Sequence, residues 1–85
     1  PSSPEDIPRV LRETFVDTKK LHKKYVGYYE EVHYLAKEII HGKITSVKGE
    51  DLDDLFWKAD SFLGEMARLV DNLIEERRIK GRLGS

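Results

Sequence analysis

Apolar residues recur at alternating spacings of three and four along two stretches of this chain, and each stretch carries one row more than a two-stranded seam requires. In the first, Leu11, Thr14, Thr18, Leu21, Tyr25, Tyr28, Val32, Leu35 and Ile39 fall on one helical face, with Phe15, His22, Tyr29 and Ala36 in a second row beside it. In the second, Leu52, Leu55, Ala59, Phe62, Met66, Leu69 and Leu73 make an inner row, and Phe56, Leu63 and Val70 an adjacent one. A helical period sustained over such lengths predicts an all-α fold, and stripes this wide call for more than one neighbouring helix.

The boundaries follow from local signals. Ser3-Pro4-Glu5-Asp6 reads as a helix start, with a capping hydroxyl, a proline at the first helical position and acidic residues at the positive end of the helix dipole. Pro8 predicts an irregular first turn. Gly42 after His41 suits a carboxyl-terminal stop, and Glu50 and Asp51 suit a new amino-terminal turn. These signals place helix one over about residues 4–41, a loop over 42–49 with Ile44 and Val47 folding over the bundle end, helix two over about 50–79, and a frayed tail over 80–85 with two glycines. Thr14 and Thr18 interrupt the first stripe with polar, β-branched side chains, and Asp17 could cap a fresh helix. The expected fold is a single domain, 1–85, forming a long antiparallel helical hairpin that completes a four-helix bundle by dimerisation. The alternative is a three-helix bundle with a break near Asp17.

Eighty-five residues hold one domain, and the chain begins at Pro1 rather than a methionine, as a processed or trimmed chain would. With no cysteine, disulfides and thiolate chemistry are excluded, so stability must come from packing or association. The chain shows neither a membrane-length apolar run nor a leader-like amino end, so a cytoplasmic location without membrane association is expected. The formal net charge of −1 argues against nucleic-acid binding by overall charge.

Several residues invite chemical readings. Glu30 and His33 have the Glu-x-x-His spacing of di-iron bundles, yet Val32 on the inner row turns both outward, and helix two has no matching pair. Glu50, Asp51, Asp53 and Asp54 resemble a magnesium-binding cluster, but Glu38 is the only acidic residue near the facing end of helix one, and dipole capping suffices. His22, beside Tyr25 and Tyr29, is expected to be a buried, hydrogen-bonded histidine, and Ser46 and Ser61 have no recognisable base. No catalytic group, metal site or cofactor is therefore expected, and the chain reads as non-enzymatic. Two amphipathic helices with tyrosines and a basic end are faintly similar to helical domains of the HEPN type. Neither Arg9 nor Arg12 stands at the Arg-to-His spacing of their ribonucleases relative to His22, so no catalytic residue carries over.

Lys19, Lys20, Lys23 and Lys24 cluster on helix one, and antiparallel pairing would bring Arg68 beside them, with Arg77 and Arg78 at the same open end. Residues 1–26 with 65–85 carry a formal +3, against −4 for residues 27–64. Trp57 and Tyr34 lie off the inner rows and suggest a second contact surface. The leading expectation is a protein–protein interaction or oligomerisation module, most simply a homodimer, with a protein partner as another occupant. From helix one it would bury Leu21, Tyr25, Tyr28, Val32 and Leu35. From helix two it would bury Phe56, Phe62, Leu63, Met66, Leu69 and Leu73. The alternative is a nucleic-acid-binding accessory protein holding phosphates with Lys19, Lys20, Lys23, Lys24, Arg77 and Arg78.

Overall fold

The computed structural model describes residue 3 and residues 5–84, with side chains as far as Arg82. Most of the described residues are helical, and none of them lies in a strand. Helix α1, Ile7–Leu11, continues without a gap into a π-helical turn, Arg12–Val16. Helix α2 is Lys23–Ile40 and helix α3 is Gly49–Gly84. None of them is long and apolar enough to cross a membrane.

The expected continuous first helix is broken, and the break falls at Asp17 to His22, where the alternative had placed it. Thr18 Oγ1 donates to the carbonyl of Thr14 at 2.7 Å and lies 3.3 Å from that of Phe15, turning a side chain back onto carbonyls that would otherwise carry the helix onward. Lys19 then takes φ +63°, the left-handed region. The Lys20 N–H reaches the Phe15 carbonyl at 2.8 Å and the Lys19 N–H reaches Val16 at 3.0 Å, the paired bonds of a Schellman stop. The chain restarts at His22, in extended conformation, whose Nδ1 accepts from the Lys24 N–H at 3.1 Å. His22 is thus an exposed helix cap, and the expectation that it would be buried is corrected.

At the amino end the anticipated start at Pro4 lies outside the described residues, and the helix begins at Ile7. Pro8 occupies the first turn, where a missing N–H costs nothing. Ser3 Oγ donates to the Asp6 carboxylate at 3.3 Å, and the Ser3 carbonyl accepts from the Asp6 N–H at 2.9 Å. The stop at Gly42 has φ +73° and repeats the Schellman pattern, with Lys43 N–H on Glu38 at 3.0 Å and Gly42 N–H on Ile39 at 3.0 Å. Helix α3 runs to Gly84, beyond the expected end at Ile79. The Glu75–Arg78 pair and the cations Arg77, Lys80 and Arg82 all favour the negative end of its dipole.

Helix α2 is the middle element. α1 folds back along it, with Glu5 on Lys37 at 3.2 Å and Arg12 on Glu30 at 3.4 Å. α3 runs antiparallel along another side, fixed by Lys58 on Glu31 at 3.1 Å and by Tyr29 against Phe62 at 5.5 Å. The backbones of α1 and α3 do not approach each other. Leu11, Leu21 and Val26 are buried together, with Ile7, Phe15, Tyr25, Phe62 and Met66 packed around them, and Leu69 is buried on α3. The core is small and the molecule elongated. Its radius of gyration is 16.3 Å, against roughly 12 Å for a compact domain of this length.

The left-handed residue sets the break and generates a stability test. Lys19→Gly should hold or raise stability by up to about 1 kcal/mol, because glycine adopts positive φ freely. Lys19→Val should lower it by about 1 kcal/mol or more, because a β-branched side chain clashes there. Urea denaturation followed by circular dichroism measures both.

Candidate functional site

Helix α3 presents two apolar edges. The inner row, Leu52, Leu55, Ala59, Phe62, Met66, Leu69 and Leu73, is buried or half-buried. The adjacent row is not covered: Phe56 is 61% exposed, Leu63 65% and Val70 51%, and Ile74 extends the same edge at 61%. The rows lie side by side because four heptad positions at 100° per residue span an arc of about 160°, more than one antiparallel helix can cover. Ala67 lies exposed between Leu63 and Ile74, so the edge is continuous over several turns.

The total accessible surface is 6627 Å², whereas a compact monomer of 9.9 kDa exposes roughly 5,200 Å². The difference, roughly 1,400 Å², exceeds the ~800 Å² that one partner contributes to a standard interface. Of the residues expected to associate, Leu21 and Leu69 are buried within the protomer. Tyr25, Tyr28, Val32, Leu35, Phe62, Met66 and Leu73 are half-buried, and Phe56 and Leu63 face solvent. Trp57, 58% exposed, packs edge-on against Tyr28 at 5.7 Å, and Tyr34 is 63% exposed.

A second surface is electrostatic. Lys19, Lys20, His22, Lys23, Lys24 and Arg68 line one shallow basin with Glu65, Val16, Leu21 and Tyr25. The break makes this basin, because the turn at Lys19 and the start of α2 bring all four lysines to one corner beside α3. Three of its cations are engaged: Lys20 binds Glu76 at 3.0 Å, Arg68 binds Glu65 through both carboxylate oxygens, and the Lys24 ammonium lies 5.2 Å from the centre of the Tyr25 ring. The hydrogen bonds from Arg68 hold the Glu65 carboxyl below the usual range against the opposing effect of burial, and the charges of Arg68 and Lys24 add to this. Arg77 and Arg78 do not line the basin, and Arg78 is paired with Glu75.

Lys58 lies off the inner and adjacent rows of α3, yet it is half-buried. It bridges Asp54 at 2.8 Å and Glu31 at 3.1 Å, and these bonds raise its pKa, that to Asp54 most. Its place four residues after Asp54 on the same face was the available signal. Glu30 pairs with Arg12, and His33 stacks on Tyr29 at 5.7 Å. No group of three or more His, Asp or Glu among the described residues could hold a metal ion.

No protein-family model, curated protein or solved structure matches the chain. The physical character of its surfaces therefore carries the functional reading.

The lowered Glu65 pKa fixes a pH dependence. A carboxylate whose folded pKa is depressed adds stability that is present above its unfolded pKa, near 4.3, and lost as pH falls through the folded value. Glu65→Gln should therefore melt below the parent protein at pH 7, and the gap between the two melting temperatures should be smaller at about pH 3. Thermal melts by circular dichroism at the two pH values give the comparison.

Proposed function

We propose that the chain is a cytoplasmic, non-enzymatic helical module that works by self-association, most simply as a homodimer. The uncovered apolar edge of α3, Phe56, Leu63, Val70 and Ile74, carries this reading. Large exposed apolar patches mark interaction sites, and fully burying such side chains is worth roughly 1.5–3 kcal/mol each relative to leaving them in water. Two copies would bring eight such residues together. The edge is available without unfolding the protomer, because the α3 residues packed on the core, Phe62 and Met66, belong to the neighbouring inner row.

A phosphate-binding role is the second reading, favoured by the convergence of Lys19, Lys20, Lys23, Lys24 and Arg68 on one basin. Lys19 and Lys23 have no ion-pair partner among the described residues, so their charge is available to a nucleic-acid backbone. Arg77 and Arg78 would act from further along α3.

The two readings predict different responses. For association, the melting temperature should rise with protein concentration, and Leu63→Glu should abolish that dependence while leaving the helical circular dichroism signal intact. A parent protein whose melting is independent of concentration contradicts it. For phosphate binding, fluorescence anisotropy with single-stranded RNA should show affinity falling steeply with salt and lost in the Lys19→Glu, Lys23→Glu double variant. Absence of binding at low salt removes that reading.

A further inference from the structure

The exposed edge of α3 belongs to a second heptad seam, whose positions are Phe56, Asp60, Leu63, Ala67, Val70, Ile74, Arg77 and Gly81. Its middle is apolar, one end carries a carboxylate and the other a guanidinium. Neither Asp60 nor Arg77 has an ion-pair partner within the protomer among the described residues, although most charged side chains of α3 nearby are paired. The same polarity extends along the whole helix: residues 49–60 carry a formal −4 and residues 77–84 a formal +4.

Resting on the self-association reading, we propose that the occupant of this edge is α3 of a second copy, packed antiparallel about a twofold axis with Asp60 opposite the partner's Arg77. Parallel packing would set Asp60 against Asp60, Arg77 against Arg77, and each charged end against its like. Antiparallel packing neutralises both ends at once and opposes the two helix dipoles favourably.

The register follows from the same residues. Antiparallel seams pair each position of one heptad row with the other row of the facing helix. With Asp60 opposite Arg77, Leu63 faces Ile74 and Ala67 faces Val70, so small and large side chains alternate across the axis. Phe56 then faces Gly81, where a Cβ would meet nothing within 4 Å in the protomer, leaving room for a ring. A slip of one heptad in one direction puts Asp60 against Val70, and in the other puts Arg77 against Ala67. Either slip leaves a charge facing an apolar layer. The matched seam from Asp60 to Arg77 spans about 26 Å at 1.5 Å per residue, long enough for several interlocking layers.

The absence of cysteine makes the arrangement directly testable. Asp60→Cys and Arg77→Cys proteins, prepared separately, are mixed and oxidised, and disulfide-linked species are resolved by mass spectrometry. Only the mixed pair should link efficiently, with each variant alone giving at most a tenth of that yield. Efficient linking of Asp60→Cys with itself would overturn the antiparallel arrangement while leaving self-association standing. A dimeric mass with no linkage in any combination would overturn the assignment of this edge, again separately from self-association. A monomeric mass for the parent protein would remove both. As an independent check, Asp60→Arg and Arg77→Asp should each weaken dimerisation about tenfold by turning two opposite-charge contacts into like-charge ones. An equimolar mixture of the two should recover the parent affinity. Unchanged affinity in the single variants would contradict the pairing.

Discussion

The apolar arc of α3 is wider than the helices of its own chain can cover, and most of the structure's character follows from that mismatch. α3 has 36 residues and α2 only 18. α1 could have filled the gap, but it folds back on α2, and its backbone does not approach that of α3. The consequence is a protomer in which, among the described residues, four hydrophobic side chains are buried and ten large ones exposed, a poor balance for a chain that lacks disulfides to compensate. Covering the free edge with a second helix corrects the imbalance without altering the existing core.

The two helix stops show what was legible in the residues and what was not. Gly42 and Lys19 occupy equivalent places in the same hydrogen-bonded motif, both with positive φ. Glycine announces such a stop because it alone adopts this conformation without cost. Lysine hides it, and the heptad spacing runs straight across the break because Leu21 and Tyr25 still reach the core from the new helix. Thr14, Asp17 and Thr18 were the only local hints, and the Thr18 hydroxyl does act on the backbone as a helix-interrupting side chain can. The continuous apolar pattern outweighed them, although periodicity records which side chains are buried and not whether the backbone joining them is unbroken.

The candidate surfaces were legible in a similar, partial way. The inner and adjacent rows of α3 were visible as separate rows, yet only the way α1 and α2 pack decides that the first is covered and the row of Phe56, Leu63 and Val70 is left free. The basic basin was foreshadowed by four lysines in six residues and by Arg68 at the matching height of α3, whereas Arg77 and Arg78 sit too far along the helix to join it. His22 and Lys58 resisted reading because their roles depend on neighbours absent from their heptad positions: a restarted helix for the first, and a carboxylate on another helix for the second. Antiparallel pairing within the chain was the most dependable expectation. A short loop between two long helices allows little else, and Tyr29 against Phe62 fixes it here.

Sedimentation equilibrium of the parent protein over a range from high nanomolar to tens of micromolar tests the central claim most directly. A mass approaching twice the 9.9 kDa of the protomer at the upper end, falling towards the protomer value on dilution, is the predicted result. A constant mass of one protomer across the whole range, in a protein that still unfolds cooperatively, would contradict it.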